Sequence, residues 1–383
     1  MNKHIHCPHF NSCSGCTITE NVNNPPIAQE AQNFFSTHGF TSFILHTGEP
    51  VGWRCRAKLA IRGTSLYPLI GLYQEGTHTV VDIPLCRVHH PSINKAAEIL
   101  KHWIVKEVLP PYQETTQQGL LRYVQLVVER ATARVQVALV FNSAQLSDAL
   151  KQSLGRLWAS NSDLWHSVWV NFNERSDNII FGKEWLLVKG EKLLWEKLGG
   201  LKICFHPSSF GQANLDQFEF LLKTILKKVP TEKKVAEFYA GSGIIGLNLV
   251  SKSTSVVCCE VNADAEIGFN AAKEALNLKD ASKITFEVGS VAKKVHLLDA
   301  ADVVIVDPPR KGIDPLLIKA LNKVEHPKQL VYVSCGWKSF RNDCEALLQG
   351  GWKLQHAEGH LFFPGSNHIE VLAIFVKEAP SKK

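Results

Sequence analysis

Residues 235–249 read VAEFYAGSGIIGLNL. A short apolar run ends at Tyr239, Gly241, Gly243 and Gly246 follow, and an apolar stretch of helical spacing begins among them. A strand, a glycine turn and a helix opening bring backbone close to a ligand at the carboxyl edge of a parallel sheet. Glycines also serve tight helix packing, so the turn gains weight only from its surroundings. The next strand ends in Glu260. A carboxylate there accepts hydrogen bonds from both hydroxyls of an adenosine ribose, which suits a nicotinamide dinucleotide or S-adenosylmethionine.

Working outward, strands are expected at 235–239, 255–260, 284–288, 303–307 and 329–333, with helices filling the gaps. Segments 352–358 and 368–376 follow each other without a helix and should close the sheet as an antiparallel pair. This is an α/β, doubly wound pattern. Upstream, RAKLAIRG (56–63), LRYVQLVVER (121–130), RVQVALVF (134–141) and SVWVNFN (167–173) read as strands, with helices near 92–108 and 143–159. That half reads as a β-rich α+β domain. The texture changes between 200 and 230, which gives domains of 1–205 and 206–383, with part of 20–50 expected to pack on the second. The last residues, EAPSKK (378–383), read as a frayed tail.

Composition narrows the class. The 383 residues are 45% hydrophobic and 20% charged, which excludes a disordered chain or a coiled coil. The net charge of +6 permits a polyanionic partner without demonstrating one. The longest apolar runs, such as Val303 to Val306 and Leu330 to Val333, are too short to cross a bilayer, and the amino terminus lacks the apolar stretch of a secretory signal. Ten cysteines without an export signal point to thiol, metal or catalytic roles in a reducing compartment. A cytoplasmic monomer without membrane contact is expected.

The ends of three strands carry chemistry. VVIVDPPRKG (303–312) holds Asp307 at a strand exit stiffened by two prolines. LVYVSCGWKSF (330–340) puts Cys335 after the neighbouring strand, among small or polar residues, with Lys338 and Arg341 near enough in sequence to lower its pKa. GSNHIEVLAIF (365–375) places Glu370 at the start of the final strand. Carbon-5 of a pyrimidine is too weak a nucleophile to take a methyl group unaided. A thiolate adding to carbon-6 makes an enolate whose carbon-5 attacks a sulfonium methyl, and a base then removes the carbon-5 proton so that the thiolate leaves. One cysteine, one base and one S-adenosylmethionine site suffice.

With these residues in place, the chain resembles the RNA 5-methyluridine methyltransferase family over nearly its whole length. The resemblance implies methylation of uridine carbon-5 in RNA, with Cys335 as nucleophile and Glu370 as proton-abstracting base. FGQAN (210–214) is similar to the family's cofactor motif and makes Gln212 a contact of S-adenosylmethionine, beside Tyr239, Gly241, Gly243, Glu260 and Asp307. The amino-terminal CPHFNSCSGC (7–16), closed by Cys86 in IPLCRVHHP (83–91), is similar to the family's iron–sulfur site. Cys7, Cys13, Cys16 and Cys86 would then hold a [4Fe-4S] cluster. Spacing alone suits zinc equally, with His6 or His9 as further donors, because both metal groups accept four thiolates.

The sequence departs from the family in places. Ser14 and Gly15 stand between the close cysteines where two glycines are usual, Gly336 and Trp337 follow Cys335 where Asn-Pro is common, Ile244 replaces a polar residue, and Ser290 stands where an acid or amide is expected. The chain begins almost at its first cysteine, without the additional oligonucleotide-binding domain of some relatives. Among RNA substrates, 23S ribosomal RNA is therefore favoured over tRNA. A catalytically silent RNA-binding protein on the same fold is the alternative of a different class. GWRCRAKLAIRG (52–63) adds Arg54, Arg56 and Lys58 on alternate strand positions beside Trp53, which reads either as a phosphate-binding stripe or as a solvated strand face.

Overall fold

A computed structural model describes residues 4–377; the tail 378–383 lies outside the described residues. Contacts divide the chain into two compact units. The first comprises Met1–Val22, Glu49–Glu196 and Gln212–Asn214, and the second Asn23–Gly48, Lys197–Gly211 and Leu215–Lys383.

The second unit is built on an eight-stranded sheet. Its order runs Ile44–His46, Lys353–His360, Glu370–Val376, Gln329–Ser334, Val303–Val306, Lys234–Phe238, Ser255–Glu260, Ile284–Val288. Every pairing is parallel except those of Glu370–Val376, which runs antiparallel to both neighbours. The central strands VVIV and QLVYVS are buried at every position, as sheets covered on both faces require. The covering helices bury one stripe each. In Trp337–Gln349 that stripe is Trp337, Phe340, Cys344 and Leu347, spaced three or four apart. Pro315–Lys323 starts on Asp314, whose side chain accepts the Leu316 N–H, with Pro315 at the first helical position where no N–H is needed.

Two features differ from the sequence reading. The gap between Ile284–Val288 and Val303–Val306 holds only short 3₁₀ turns, Val291–Lys293 and Val295–Ala300, instead of a helix. The sheet also does not end at its antiparallel pair. The three-residue strand Ile44–His46 joins it in parallel with Lys353–His360, pairing Ile44 with Glu358, Leu45 with Gly359 and His46 with His360. Strand Lys234–Phe238 has Ser255–Glu260 on one side and Val303–Val306 on the other, so the chain reverses its direction of winding there. Open α/β sheets bind ligands at that crevice.

The first unit holds a seven-stranded sheet in the order Val80–Asp82, Pro68–Tyr73, Arg56–Gly63, Leu121–Val128, Val135–Phe141, Trp165–Phe172, Glu184–Gly190. It is antiparallel except between Val135–Phe141 and Trp165–Phe172, and the helix Asp148–Ser160 makes the crossover that a parallel pair needs. Helix Pro91–Lys106 buries Ile93, Ala96, Ala97, Leu100, Trp103 and Ile104 into that unit's core. Among the described residues no helix is long and apolar enough to cross a membrane.

Candidate functional site

The glycine turn of the second unit is held in backbone shapes that few side chains tolerate. Tyr239 (φ 58°), Gly241 (φ 54°) and Gly243 (φ 68°) all lie in the left-handed region. At Gly243 a Cβ would stand 2.7 Å from Phe269, and at Gly246 it would stand 2.6 Å from both Cys258 Sγ and Glu237 Oε2, so those two glycines answer to packing. Gly241 differs. A Cβ there would meet nothing within 4 Å, so open space lies over the turn. Gly241 donates its N–H to Glu260 Oε2 at 3.0 Å, and Asn262 donates to Oε1 at 2.9 Å, which fixes the carboxylate at the mouth of the turn. Ser242 is buried with its Oγ lacking a hydrogen-bond partner. An anchored carboxylate, an open turn and an orphaned hydroxyl suit a nucleoside-bearing ligand. The Tyr239 hydroxyl accepts the Asp314 N–H at 2.8 Å, tying the turn to the loop after Asp307. Ile244 is buried at the start of its helix, and Ser290 caps the 3₁₀ turn Val291–Lys293 without a side-chain hydrogen bond.

Asp307, Cys335 and Glu370 come together at the carboxyl edge of this sheet. Burial raises the pKa of all three. Burial, then Glu370, then Asp307 raise the Cys335 thiol to about 12, with Arg310 opposing. Burial and Asp307 raise Glu370 to about 8, again against Arg310, and burial raises Asp307 to about 7. Cys335 Sγ points toward the Pro308 carbonyl at 3.9 Å. The cation beside this cluster is therefore Arg310, not the expected Lys338 or Arg341. Arg341 pairs with Glu30 at 2.9 Å and lies over the Phe34 ring. In sequence Arg310 follows the two prolines, and nothing there places its charge beside Cys335 and Glu370.

Gly336 also has a physical account. A Cβ at that position would stand 2.4 Å from the Arg310 carbonyl oxygen, so the residue after Cys335 must be glycine while the loop keeps this path. Ser339 Oγ donates to the same carbonyl at 2.7 Å. Trp337 Nε1 donates to Glu30 at 2.8 Å, which docks the helix Pro26–Thr37 behind the cysteine turn. Asp343 holds the loop from below, accepting from Ile313 N at 2.9 Å and Tyr332 Oη at 2.7 Å.

Gln212 belongs to the first unit, with Ala213 and Asn214. It is half-buried, and the neighbouring Ala213 carbonyl accepts the Cys55 N–H at 2.8 Å.

The same unit gathers Cys7, Cys13, Cys16 and Cys86 around one cavity of about 220 Å³, lined also by His9, Arg54 and Lys58. Arg54 and Lys58, expected as a phosphate stripe, thus line the cavity. The thiols repel one another as charges. Burial, then Cys86, Cys13 and Cys7, raise Cys16 to about 12, and burial leads the upward shifts of Cys13 and Cys86. Backbone N–H groups nonetheless aim at sulfur: Gly15 at Cys13 Sγ (3.3 Å), and Val88 and His89 at Cys86. Donors directed at sulfur favour thiolates, so the donor set suits a cation that neutralises several of them. Four thiolates suit a single zinc and an iron–sulfur cluster alike. His9 Nε2 accepts the Leu85 N–H at 3.1 Å, which occupies that nitrogen. Ser14, in place of a second glycine, donates to the Tyr73 carbonyl at 2.7 Å and pins the cysteine loop to the sheet.

The chain is similar to known proteins. The model of the methyltransferase small domain matches residues 200–336. A relative from Protochlamydia amoebophila, named an uncharacterized RNA methyltransferase, is 46% identical over 377 residues and 97% of each chain. One of the same name from Geobacter sulfurreducens is 28% identical over 98% of this chain and 77% of its own. Among solved structures, the tRNA (uracil-54, C5)-methyltransferase of Pyrococcus abyssi, in complex with S-adenosyl-L-homocysteine, is similar with a TM-score of 0.73 and 27% identity, covering 90% of this chain and 81% of that one.

Proposed function

This chain belongs to the RNA methyltransferase family, and on that premise we propose that it methylates carbon-5 of a uridine in RNA, using S-adenosylmethionine. The observation that carries the reading is the cluster of Cys335, Asp307 and Glu370 on one sheet edge, next to the open turn of Gly241 and Glu260. S-adenosylmethionine supplies a methyl group on a sulfonium and leaves as its thioether. Glu260 would hold its ribose hydroxyls, with Gly241 and Gly243 admitting it and Tyr239, Asp307 and Gln212 as further contacts.

Cys335 rests as a thiol, because two carboxyl groups and burial oppose its ionisation. It gives its proton to solvent as sulfur bonds to carbon-6 of the uracil, leaving Glu370 free for the later step. The electron pair released into the ring makes carbon-5 nucleophilic, and carbon-5 takes the methyl group. Glu370 then removes the carbon-5 proton, the ring double bond re-forms, and the carbon–sulfur bond breaks to free Cys335. Glu370 must be ionised for that step. Raised to about 8, it makes the step faster as pH climbs toward that value. Arg310 offsets the negative charge gathered there. A paired uridine must be turned out of its stem to reach this edge.

In the first unit, Cys7, Cys13, Cys16 and Cys86 would hold a [4Fe-4S] cluster. What supports that reading is the gathering of the four cysteines around one cavity together with the likeness of their spacing to the family's iron–sulfur motif; zinc is the alternative that four thiolates also suit. No electron leaves or enters in the methyl transfer, so the cluster would serve to fold its unit. Within the same proposal the RNA-facing role goes to the first unit and methyl transfer to the second; the expected bounds of 1–205 and 206–383 differ from these units at 23–48, 197–205 and 212–214.

The test is mass-spectrometric nucleoside analysis of ribosomal RNA and tRNA from cells lacking the gene, complemented with wild type, Cys335→Ala or Glu370→Gln. Loss of 5-methyluridine from one fraction, restored by the wild type alone, establishes the reaction; 23S ribosomal RNA is the first substrate to examine and tRNA the second. Unchanged 5-methyluridine in every fraction, with no transfer by purified protein to unmodified RNA, leaves a catalytically silent RNA-binding protein.

A further inference from the structure

The edge strand added to the second unit brings a second group of ligating side chains together. His46 ends the strand Ile44–His46 and lies opposite His360, and Glu358 sits two residues before His360 on the same strand face. His46 Nε2 is 3.2 Å from Glu358 Oε2, His360 Nε2 is 2.9 Å from Glu358 Oε1, and His356 Nε2 is 3.1 Å from Glu358 Oε2. Three imidazoles on different strand positions thus present the same nitrogen to one buried carboxylate. Among the described residues, His46, Glu358 and His360 are the one trio of histidine, cysteine or acidic ligands with ligand atoms within 4.8 Å of one another.

We propose that His46, Glu358 and His360 form a binding site for a divalent cation of the zinc class. Two imidazole nitrogens and one carboxylate are a donor set that zinc accepts, and other borderline divalent ions share the preference. A tetrahedral ion about 2.0–2.2 Å from each donor holds its ligand atoms about 3.4 Å apart. The contacts of 2.9 and 3.2 Å fall on the two oxygens of Glu358, so the ion would take that carboxylate through both, and the ligand atoms of the trio already lie within 4.8 Å of one another.

The surroundings are those of a built site. Glu358 is held from outside the trio by His356 and by Thr224, so its orientation is fixed before an ion arrives. Phe220, on helix Leu215–Lys228, lies against the His46 and His360 rings at 4.6 and 6.1 Å between centroids and shields the group from water. His360 is completely buried, and its Nδ1 has no hydrogen-bond partner. Its whole polar requirement therefore rests on the Nε2 side, facing the trio. An aliphatic residue would fill that strand position at less cost. His46 remains 21% exposed, which gives an ion its way in. Once bound, the cation ties the edge strand to Lys353–His360 by bonds stronger than a three-residue ladder.

This inference is independent of the methyl-transfer reading. Full-length wild type, His46→Ala and Glu358→Gln are each equilibrated with excess Zn²⁺, desalted, and counted for metal by mass spectrometry. All three keep the four cysteines, so metal held there cancels. The wild type should carry one more zinc per chain than either variant, and Zn²⁺ should raise its melting temperature by about 5–10 °C, the shift expected when an ion at roughly 100 times its Kd binds only the folded state. The Co²⁺ difference spectrum of wild type minus His46→Ala should show the ligand-field bands of a nitrogen–oxygen site, those of the four cysteines cancelling. His46→Ala alters a partly exposed edge position and serves alone should Glu358→Gln fail to fold. Equal zinc in folded wild type and His46→Ala, with no Zn²⁺-dependent stabilisation, overturns the site.

Discussion

The two units set cysteines in opposite surroundings. In the first, four cysteines crowd one cavity, and burial followed by neighbouring thiols raises Cys13, Cys16 and Cys86, with Arg54 nearby and backbone N–H groups aimed at two of the sulfurs. In the second, a lone thiol is raised by the carboxyls of Glu370 and Asp307. Burial leads both shifts, and both Cys16 and Cys335 reach about 12. The remedy differs. Mutual repulsion among four sulfurs is relieved by positive charge placed between them, which is what a metal group brings. Repulsion between one sulfur and two carboxyls is relieved when sulfur shares its electron pair with an electrophile. Burial also leads the rise of Cys204 and Cys344 to about 12, so a raised thiol marks burial, and its neighbours distinguish a ligand or a nucleophile from a packed side chain.

Breaking the second unit's thiol should produce the largest effect. Cys335→Ala is expected to lower methyl transfer by at least about 10³-fold in single-turnover assays while RNA binding in gel-shift assays persists. Retained transfer would remove Cys335 from the nucleophile's place. Glu370→Gln should slow turnover by about 10²–10⁴-fold and accumulate a covalent protein–RNA species, resolved on denaturing gels. Without such a species, proton removal belongs to another group. On the other side of the comparison, Cys16→Ser or chelation should abolish the visible charge-transfer absorption of a purified holoprotein. It should also lower the first unit's melting temperature by about 10 °C, while the fluorescence of ligand titrations at the Gly241 turn reports a folded second unit.

Smaller changes sharpen the contrast. Gly336→Ala forces a carbon against the Arg310 carbonyl and should cost about 1–3 kcal/mol in chemical denaturation, with the cysteine cavity unaffected. The mildest effect is pH. Folded Asp307 and Glu370 keep protons up to about 7 and about 8, whereas the unfolded chain releases them in the ordinary carboxylate range. The folded state then binds more protons, so stability falls as pH rises from about 4 to about 8 and levels off above it. Calorimetry should show a melting temperature several degrees lower at pH 8.5 than at pH 6, and Glu370→Gln should flatten the upper part of that slope.

Much of the second unit was legible because its evidence is local. Apolar runs such as VVIV and LVYV, each followed by a turn, mark buried parallel strands, and the glycine spacing marks the turn between two of them. Cys335, Asp307 and Glu370 could be singled out from their places at strand ends. What could not be read was whatever depends on distant pairing. Ile44–His46 is three residues long, and its partner strand lies over 300 positions downstream. No periodicity announces such a strand. The missing helix before Val303 is a case of apolar residues, Val295, Leu297 and Leu298, serving 3₁₀ turns against the core. The part of Arg310 and the requirement for glycine at 336 both arise from one loop carbonyl and a charge meeting a neighbouring turn, which only coordinates reveal.

The edge strand carries a consequence for synthesis. His46 leaves the ribosome early, and Glu358, its partner across the sheet, is 312 positions behind it. At about 5–20 residues per second that is a wait of roughly 15–60 s. Helix Pro26–Thr37 and strand Ile44–His46 spend it without the sheet they belong to, while the whole of Glu49–Glu196, the main body of the other unit, is made after them. The amino-terminal unit can therefore fold during translation, but the sheet of the methyltransferase unit closes only near the end of the message. A fragment starting at residue 206 would expose the edge of Lys353–His360 as an open strand, the surface on which nascent chains aggregate.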